Sequence, residues 1–549
     1  MALGLGLTFA ATGASAAPTV TDVPEISVAS AATTVAVVAP ITVPSGSGGI
    51  LDAETLADYT EPLGLLTRQL DALADKSVAI AIDPMILASI RVLGTTAPES
   101  ALTWLERLSL VSNEVVPLPY AQNDVTLATQ AGSGATFEPI SFDFALNASN
   151  FADPATATAV PTPAATGQPQ QLTADGVPLY PTTQDLLEWD YAIDGFLLPR
   201  TDTIVDSDLA AFTASGYSTI VASSSNIARP AGAGSVTTID GVTALVADSA
   251  VADAMDVALG STLDRDVAAA NTALNQAVLT AGAAQTTGTA SVLIVIDHSL
   301  EFSAARLDAA LVTLSTSPSI TLVPLTTLAS TPATSATIDN KPHTDAQIGD
   351  VGRLLTAEQE ERTFFAIADD PAALVAQRRL ALLDVLGTVT TANPADWLTE
   401  VNRFLVDSRD TRNAVGVVDA SNYLIVANNG FLPVSVSNNL NQAVTVYITV
   451  NPRSGLLAVD DSRVELRVEA NSQAKGDIPV QSLSNGVVDV EITLTSGTGV
   501  SVGTTTVSEI NVQAGWETPI VLSLGALVVI VFAVGLVRSI VSRRKPVNE

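Results

Sequence analysis

The sequence predicts an α/β plus all-β protein: a degenerate (β/α) barrel with a helical extension, then an immunoglobulin-like β-sandwich, then one C-terminal transmembrane helix. Three observations predict it. From Thr33 to Thr344, short Val- and Ile-rich runs alternate with amphipathic helical stretches, the pattern of parallel βα units. From Gly416 the apolar residues switch to period two between closely spaced turns, the pattern of a sandwich. Ile520–Val537 holds no charge and one hydroxyl, Ser523, and about 20 apolar residues span a bilayer core.

Composition narrows the functional classes. The chain has 549 residues, 47% of them hydrophobic, enough to bury several cores. Acidic residues outnumber basic ones by 57 to 24, a net charge of −33. A field of that sign repels nucleic acid, so no nucleic-acid partner is expected. Cysteine is absent, which excludes thiol nucleophiles and thiolate metal sites. The histidines are His298 and His343. A catalytic zinc needs three or four protein ligands, so no metal and no cofactor is expected.

Each element has a local reason. Residues 1–16 are Leu- and Ala-rich and end in Ala14-Ser15-Ala16, the small-x-small pattern of a cleaved export signal. The first basic residue is Arg68, so the charged start of that signal is expected upstream of Met1. Thr33–Ala39 reads as the first strand. Asp52–Asp75 reads as helix, with Leu56, Leu63, Leu66, Leu70 and Leu73 near one face. Val78–Ile82 and Val115–Leu118 read as strands around a helix at Glu99–Leu110. Residues 152–173 are Pro-, Ala-, Thr- and Gln-rich and read as an insertion, because the alternation resumes after them. Thr183–Trp189 then reads as helix, Gly195–Leu198 as strand and Asp206–Ser215 as helix. Ser218–Ala222 and Val242–Val246 read as strands, Ser249–Leu279 as one long helix, and Val292–Ile296 and Ile320–Pro324 as strands around a helix at Leu307–Leu314. Over 33–344 that is enough strands to close a barrel; an open doubly wound sheet is the alternative.

Residues 345–412 carry apolar side chains at helical spacing, and Asp370-Pro371 and Asn393-Pro394 look like helix starts. Over 416–513, Asn429-Gly430, Asn451-Pro452, Asn485-Gly486 and Ser496-Gly497 separate the short strands of the sandwich. Trp516 sits where interfacial aromatics sit, ahead of a membrane helix over 518–541. Arg538, Arg543, Arg544 and Lys545 follow the apolar run, with 542–549 as a basic tail. Such cations stay cytoplasmic. The expected location is therefore the cell membrane, single-pass, with the upstream domains outside and the C-terminus cytoplasmic.

In a βα barrel, chemistry sits on the loops after the strands. Asp83, Asp124 and the Asp297-His298 pair fall there. Each carboxylate is a candidate for glycoside hydrolysis, which needs two carboxyl groups facing each other. Each is equally a helix cap or a partner for loop amides. Tyr120 and Trp189 are candidates for stacking on sugar faces, or core aromatics.

Val78-Ala-Ile-Ala-Ile-Asp-Pro84, Leu87–Arg91, Leu118-Pro-Tyr-Ala-x-x-Asp124, Pro433–Asn438 and Ala514-Gly-Trp-Glu517 together resemble an uncharacterised family of actinobacterial exported single-pass proteins. Members of that family are often encoded beside the lipid II flippase. The barrel part is similar, at fold level only, to polysaccharide deacetylases and glycosidases. The resemblance implies a cell-envelope setting. The expected protein is extracytoplasmic and non-catalytic, binding cell-wall glycan or a membrane partner. The alternatives are a glycan hydrolase using strand-end carboxylates, or an accessory to transport of lipid-linked cell-wall precursors.

Overall fold

The computed structural model describes residues 32–151, 180–297, 302–387, 394–418, 423–425, 429–461, 463–513 and 517–542. The expected signal at 1–16, the insertion at 152–173, His298, Trp516, Arg543, Arg544 and Lys545 lie outside the described residues.

The first region runs β1 (Thr33–Ile41), α1 (Ala53–Thr60), α2 (Leu65–Leu73), β2 (Ala79–Ile82), α3 (Pro84–Val92), α4 (Glu99–Leu110), β3 (Val115–Pro117), α5 (Val125–Gln130) and α6 (Thr183–Leu187). It continues with β4 (Phe196–Leu197), α7 (Asp208–Ala214), β5 (Thr219–Ser223), β6 (Ile227–Ala228), β7 (Val236–Ile239), β8 (Val242–Ala247), α8 (Ser249–Gly260) and α9 (Asp264–Ala283). β9 (Ser291–Val295), α10 (Ala304–Thr316), β10 (Ile320–Leu322), α11 (Leu325–Ala329), β11 (Thr334–Ser335) and β12 (Thr337–Ile338) complete it.

A parallel sheet runs in the order β3-β2-β1-β9-β8-β5-β4. Its two end strands, β3 and β4, meet. Ala192, just ahead of β4, donates to the Val115 carbonyl of β3 at 2.8 Å. The sheet therefore curls back on itself. Alternation along the strands serves both faces: Ala36, Val38, Ala79 and Ala81 share the inner core with Val116, Phe196 and Leu293. Val35, Val37, Ile80 and Ile82 pack outward on the helices. The curl is irregular where β7 runs antiparallel along β8, leaving β8 and β9 a single bridge, Ala247 to Leu293.

Several elements depart from the expected bounds. The stretch 52–75 breaks into α1 and α2 around Pro62 and Gly64, where a Cβ on Gly64 would lie 2.3 Å from the Tyr59 carbonyl. The stretch 249–279 breaks after Gly260, a residue that favours helix ends. The helix at 183–189 stops at Leu187, and the strand at 195–198 keeps only Phe196–Leu197.

Next come α12 (Asp345–Phe364), α13 (Pro371–Gly387) and α14 (Pro394–Arg412). Then follow β13 (Val415–Val417), β14 (Tyr423–Ile425), β15 (Asn429–Asn438), β16 (Val444–Pro452), β17 (Leu457–Val459), β18 (Val464–Val468), β19 (Ser472–Ser482), β20 (Gly486–Thr495) and β21 (Ser501–Val512). They form a four-stranded sheet, β13-β15-β19-β17, and a five-stranded sheet, β14-β21-β20-β16-β18. One core lies between the sheets, built from alternate residues such as Leu432, Val434 and Val436 on β15 and Val446, Ile448 and Val450 on β16. β14 pairs with β21 in parallel, so the sandwich is not antiparallel throughout. Asn438, fully buried, closes the β15 turn by donating to the Gln442, Val468 and Glu469 carbonyls and accepting from Leu440.

The last element is α15 (Glu517–Ser542). Its stretch Val521–Ile540 has a mean hydropathy of 2.5, is long and apolar enough to cross a membrane, and is not buried by any of the described residues. This helix fits a single-pass membrane anchor, and Arg538 lies inside it near its C-terminal end.

α13 touches every core but the inner one of the sheet and that beneath α7. Leu380 and Leu383 join the outer core of the first region, Leu382, Val385 and Leu386 pack with α12, α14 and α5, and Leu374 joins the sandwich. A helix buried on several sides is apolar on several sides.

Candidate functional site

The loops after β1, β2 and β3 converge on Asp83. Asp-Pro at the head of α3 puts an acceptor at the N-cap and a residue without an N–H at the first helical position. Asp83 Oδ1 accepts from the Met85 amide at 2.9 Å and from the Ala121 amide at 2.9 Å. Its Oδ2 is buried without a hydrogen-bond partner. The residue is 0% exposed. Burial pushes its carboxyl up to about 7, and the charge of Asp384 pushes the same way.

Tyr120 is buried too, its hydroxyl donating to the Gly49 carbonyl at 2.6 Å and its ring tilted against Phe142. Ala121 and Gln122 both take φ 53°, the left-handed region that side chains resist. Ligatures hold them there. Besides Asp83, Gln122 Nε2 donates to the Val43 carbonyl at 2.9 Å and Asn123 Nδ2 to the Tyr120 carbonyl at 3.0 Å.

α13 covers this corner. Asp384 accepts from the Gly46 and Gly48 amides at 2.8 and 2.9 Å. The backbones then touch: a Cβ on Gly49 would lie 2.4 Å from the Leu380 carbonyl oxygen, and one on Gly387 2.2 Å from that of Ala121. Only glycine allows that approach. The mouth around Asp83 and Tyr120 is thus sealed by a helix rather than open to solvent.

Asp124 belongs to a second network. It caps α5 by accepting from the Leu127 amide at 3.0 Å and takes the Thr126 hydroxyl proton at 2.7 Å. Thr126 Oγ1 also lies 2.9 Å from His343 Nε2 and 2.8 Å from Thr203 Oγ1. His343 Nε2 also lies 3.4 Å, and Arg200 Nη1 3.8 Å, from Asp124 Oδ2. Burial raises the Asp124 carboxyl, but His343, Thr126 and the cap outweigh it and leave it below the usual carboxylate range. Gln130 extends the network by accepting from the His343 amide and donating to Asp208, whose carboxyl burial pushes up. The set is not a Ser-His-Asp type of triad. There the acid and the nucleophile sit on opposite nitrogens of the imidazole, whereas Asp124 and Thr126 share one.

The other candidates stand elsewhere. Asp297 is exposed just past β9; burial, and after it the Asp297 charge, raise Asp256 of α8 to about 6. Trp189 is covered by the Arg91 guanidinium, 5.6 Å from the ring centroid, while Arg91 donates to the Leu186 and Glu188 carbonyls. The structure therefore joins Asp83 to Tyr120, and Asp124 to His343. Sequence reasoning missed Asp384 and the place of His343. The one available signal for Asp384 was a lone acid within the apolar run Leu380–Leu386.

The chain is thus a mixed α/β and β protein with a C-terminal helix of membrane-spanning length. It belongs to DUF6049, a family of unknown function, whose model matches residues 5–548. No curated protein matches it. Among solved structures it is similar to the alpha-amylase AmyC from Thermotoga maritima, with 10% identity over 69% of this chain and 93% of that one, at a TM-score of 0.42. Trypsin-activated alpha-2-macroglobulin from Escherichia coli is similar over 18% of this chain and 7% of its own, at 14% identity and a TM-score of 0.16. WR4, an MSP family member of C. elegans, is similar over 18% of this chain and 98% of its own, at 11% identity and a TM-score of 0.15.

Proposed function

We propose that the protein is a non-catalytic, membrane-anchored component of the cell envelope. α15 holds it in the bilayer, the upstream domains face away from the cytoplasm, and the (β/α) domain displays its outer surface to envelope glycan or a membrane partner. The immunoglobulin-like domain is the spacer. β21 alone has 12 residues, about 40 Å of strand between the end beside β13 and the end that leads to α15.

The observation that carries this reading is α13 over the barrel mouth. Glycoside hydrolysis needs two carboxylates roughly 5–10 Å apart across a cleft that admits sugar. Asp83 is buried beneath α13, Asp384 is buried on α13 itself and held by two glycine amides, and Asp124 is spent on a cap, a hydroxyl and an imidazole.

Purified full-length protein incubated with peptidoglycan and related envelope glycans should retain some of them and release no product. Hydrolysis or deacetylation that disappears in Asp83→Asn, with the melting temperature unchanged, would overturn the non-catalytic reading. Sidedness has its own test. The chain lacks cysteine, so Thr103→Cys and Asn548→Cys report independently. An impermeant maleimide should label the first and not the second in intact cells; the reverse pattern would sink the orientation.

A further inference from the structure

We infer that the end of the sandwich from which α15 leaves is a membrane-contact surface, with Leu424, Phe431, Leu483 and Val487 set in the headgroup region of the bilayer. The inference rests on α15 being a membrane anchor and goes beyond it.

Five large apolar side chains are exposed among the described residues of the sandwich: Leu424, Phe431, Leu483, Val487 and Val507. Strand pairing places four of them at one end. Leu424 and Val487 flank Asn511, one row from the end of β21. Leu483 lies in the turn between β19 and β20, and Phe431, 67% exposed, pairs with Pro479 near the end of β19. They come from both sheets, so they ring the end instead of forming a patch on one side. A flat partner protein would favour one face; a bilayer surface meets all sides at one depth.

Charge points the same way. The protein carries −33 overall. Yet residues 424–425, 429–430, 480–488 and 510–513, the last rows at this end, carry no charge; the first carboxylates are Asp460, whose amide donates to the Pro479 carbonyl on the row of Phe431, and Asp489, next after Val488. Uncharged rows are not repelled by anionic headgroups as the acidic remainder of the chain would be. The opposite end, where Asp369 pairs with Arg467 and its amide donates to the Ala443 carbonyl, keeps its carboxylates.

The tether permits the contact. Residues 513–516 separate β21 from α15, a reach of at most about 17 Å. The apolar part of α15 starts at Val521, one helical turn after Glu517, so Glu517 itself falls at headgroup level. Exposed apolar and aromatic residues are stabilised in that zone.

The test uses single-cysteine variants of the full chain, labelled with an environment-sensitive fluorophore. The protein is reconstituted in phosphatidylethanolamine–phosphatidylglycerol vesicles that contain a lipid with a nitroxide near the headgroup. Phe431→Cys, Leu483→Cys and Val487→Cys should be blue-shifted and quenched severalfold more than Val507→Cys. Val507 lies on the same face as Asn511 and four residues up the same strand, roughly 14 Å farther from the bilayer. Leu522→Cys, at the headgroup end of the span, reports the anchor itself. Quenching at Leu522 with the three sites no different from Val507 would overturn the contact and leave the anchor standing. No quenching at Leu522 would overturn both. A blue shift without lipid quenching would mean that protein, not bilayer, covers this end, and would equally overturn the proposal.

Discussion

Asp83 and Asp124 occupy equivalent posts with opposite electrostatics. Each follows a parallel strand, caps the next helix and is at most 1% exposed. Burial pushes both carboxyls up. Asp83 then faces another carboxylate, Asp384, and settles near 7. Asp124 faces His343 and, with the Thr126 and Leu127 hydrogen bonds added, ends below its ordinary value; Arg200 lies 3.8 Å away. The place on the fold sets the cost of the charge; the element packed opposite decides whether that cost is recovered. Around Asp83 that element is α13, and around Asp124 it is the segment leading into α12.

The comparison breaks most visibly at Asp124. Asp124→Ala removes a cap, a hydroxyl partner and the acceptor for His343 and Arg200 together. Removing one member of a buried paired set costs about 3–5 kcal/mol, and urea unfolding of the full chain should register a loss of that order. Asp83→Ala should cost less, about 1–3 kcal/mol, because it also removes a carboxyl that lacks a counter-charge. Equal losses would mean that His343 and Arg200 contribute nothing.

An intermediate effect is expected where α13 seals the mouth. In Gly387→Ala the new Cβ would meet the Ala121 carbonyl at 2.2 Å, and overpacking of this kind costs about 1–3 kcal/mol. Backbone meets backbone there, so the helix must lift. Hydrogen exchange at the Gly46 and Gly48 amides, both held by Asp384, should accelerate in the variant. Unchanged exchange would show that the contact is slack.

Local features were legible in the sequence and long-range ones were not. Asp83-Pro84 announces a helix start by its chemistry alone, and the apolar run of α15 announces itself by length. The period-two pattern of β15 and β16 follows from a sheet with one buried face. The seal over the mouth left no such mark, because Asp384 meets Gly46 from 338 residues away and α13 is apolar on several sides. Trp189 reads equally as a sugar platform or a core aromatic, because nothing near it in the chain reveals Arg91 lying across its ring.

The smallest expected effect is a change of slope, and it separates the two carboxyls most cleanly. The folded Asp83 carboxyl titrates near 7 and the unfolded one near 3.8. Between those values the folded state holds the extra proton, so the Asp83 contribution to stability is largest in acid and is lost as pH rises to about 7. Asp124 has the opposite sign: its contribution is present above 3.8 and is lost as pH falls through its depressed folded value. Asp208, Asp256 and Glu361 are also raised, so the wild-type curve alone cannot assign the slope. The difference between wild type and Asp83→Asn can. Asn keeps an acceptor for Met85 and Ala121 and offers an N–H toward Asp384. The variant should match wild type near pH 4 and become relatively more stable as pH rises to 7.5, measured by urea midpoints at each pH. A difference curve that is flat, or that slopes the other way, would mean that Asp83 is ionised beneath α13 throughout.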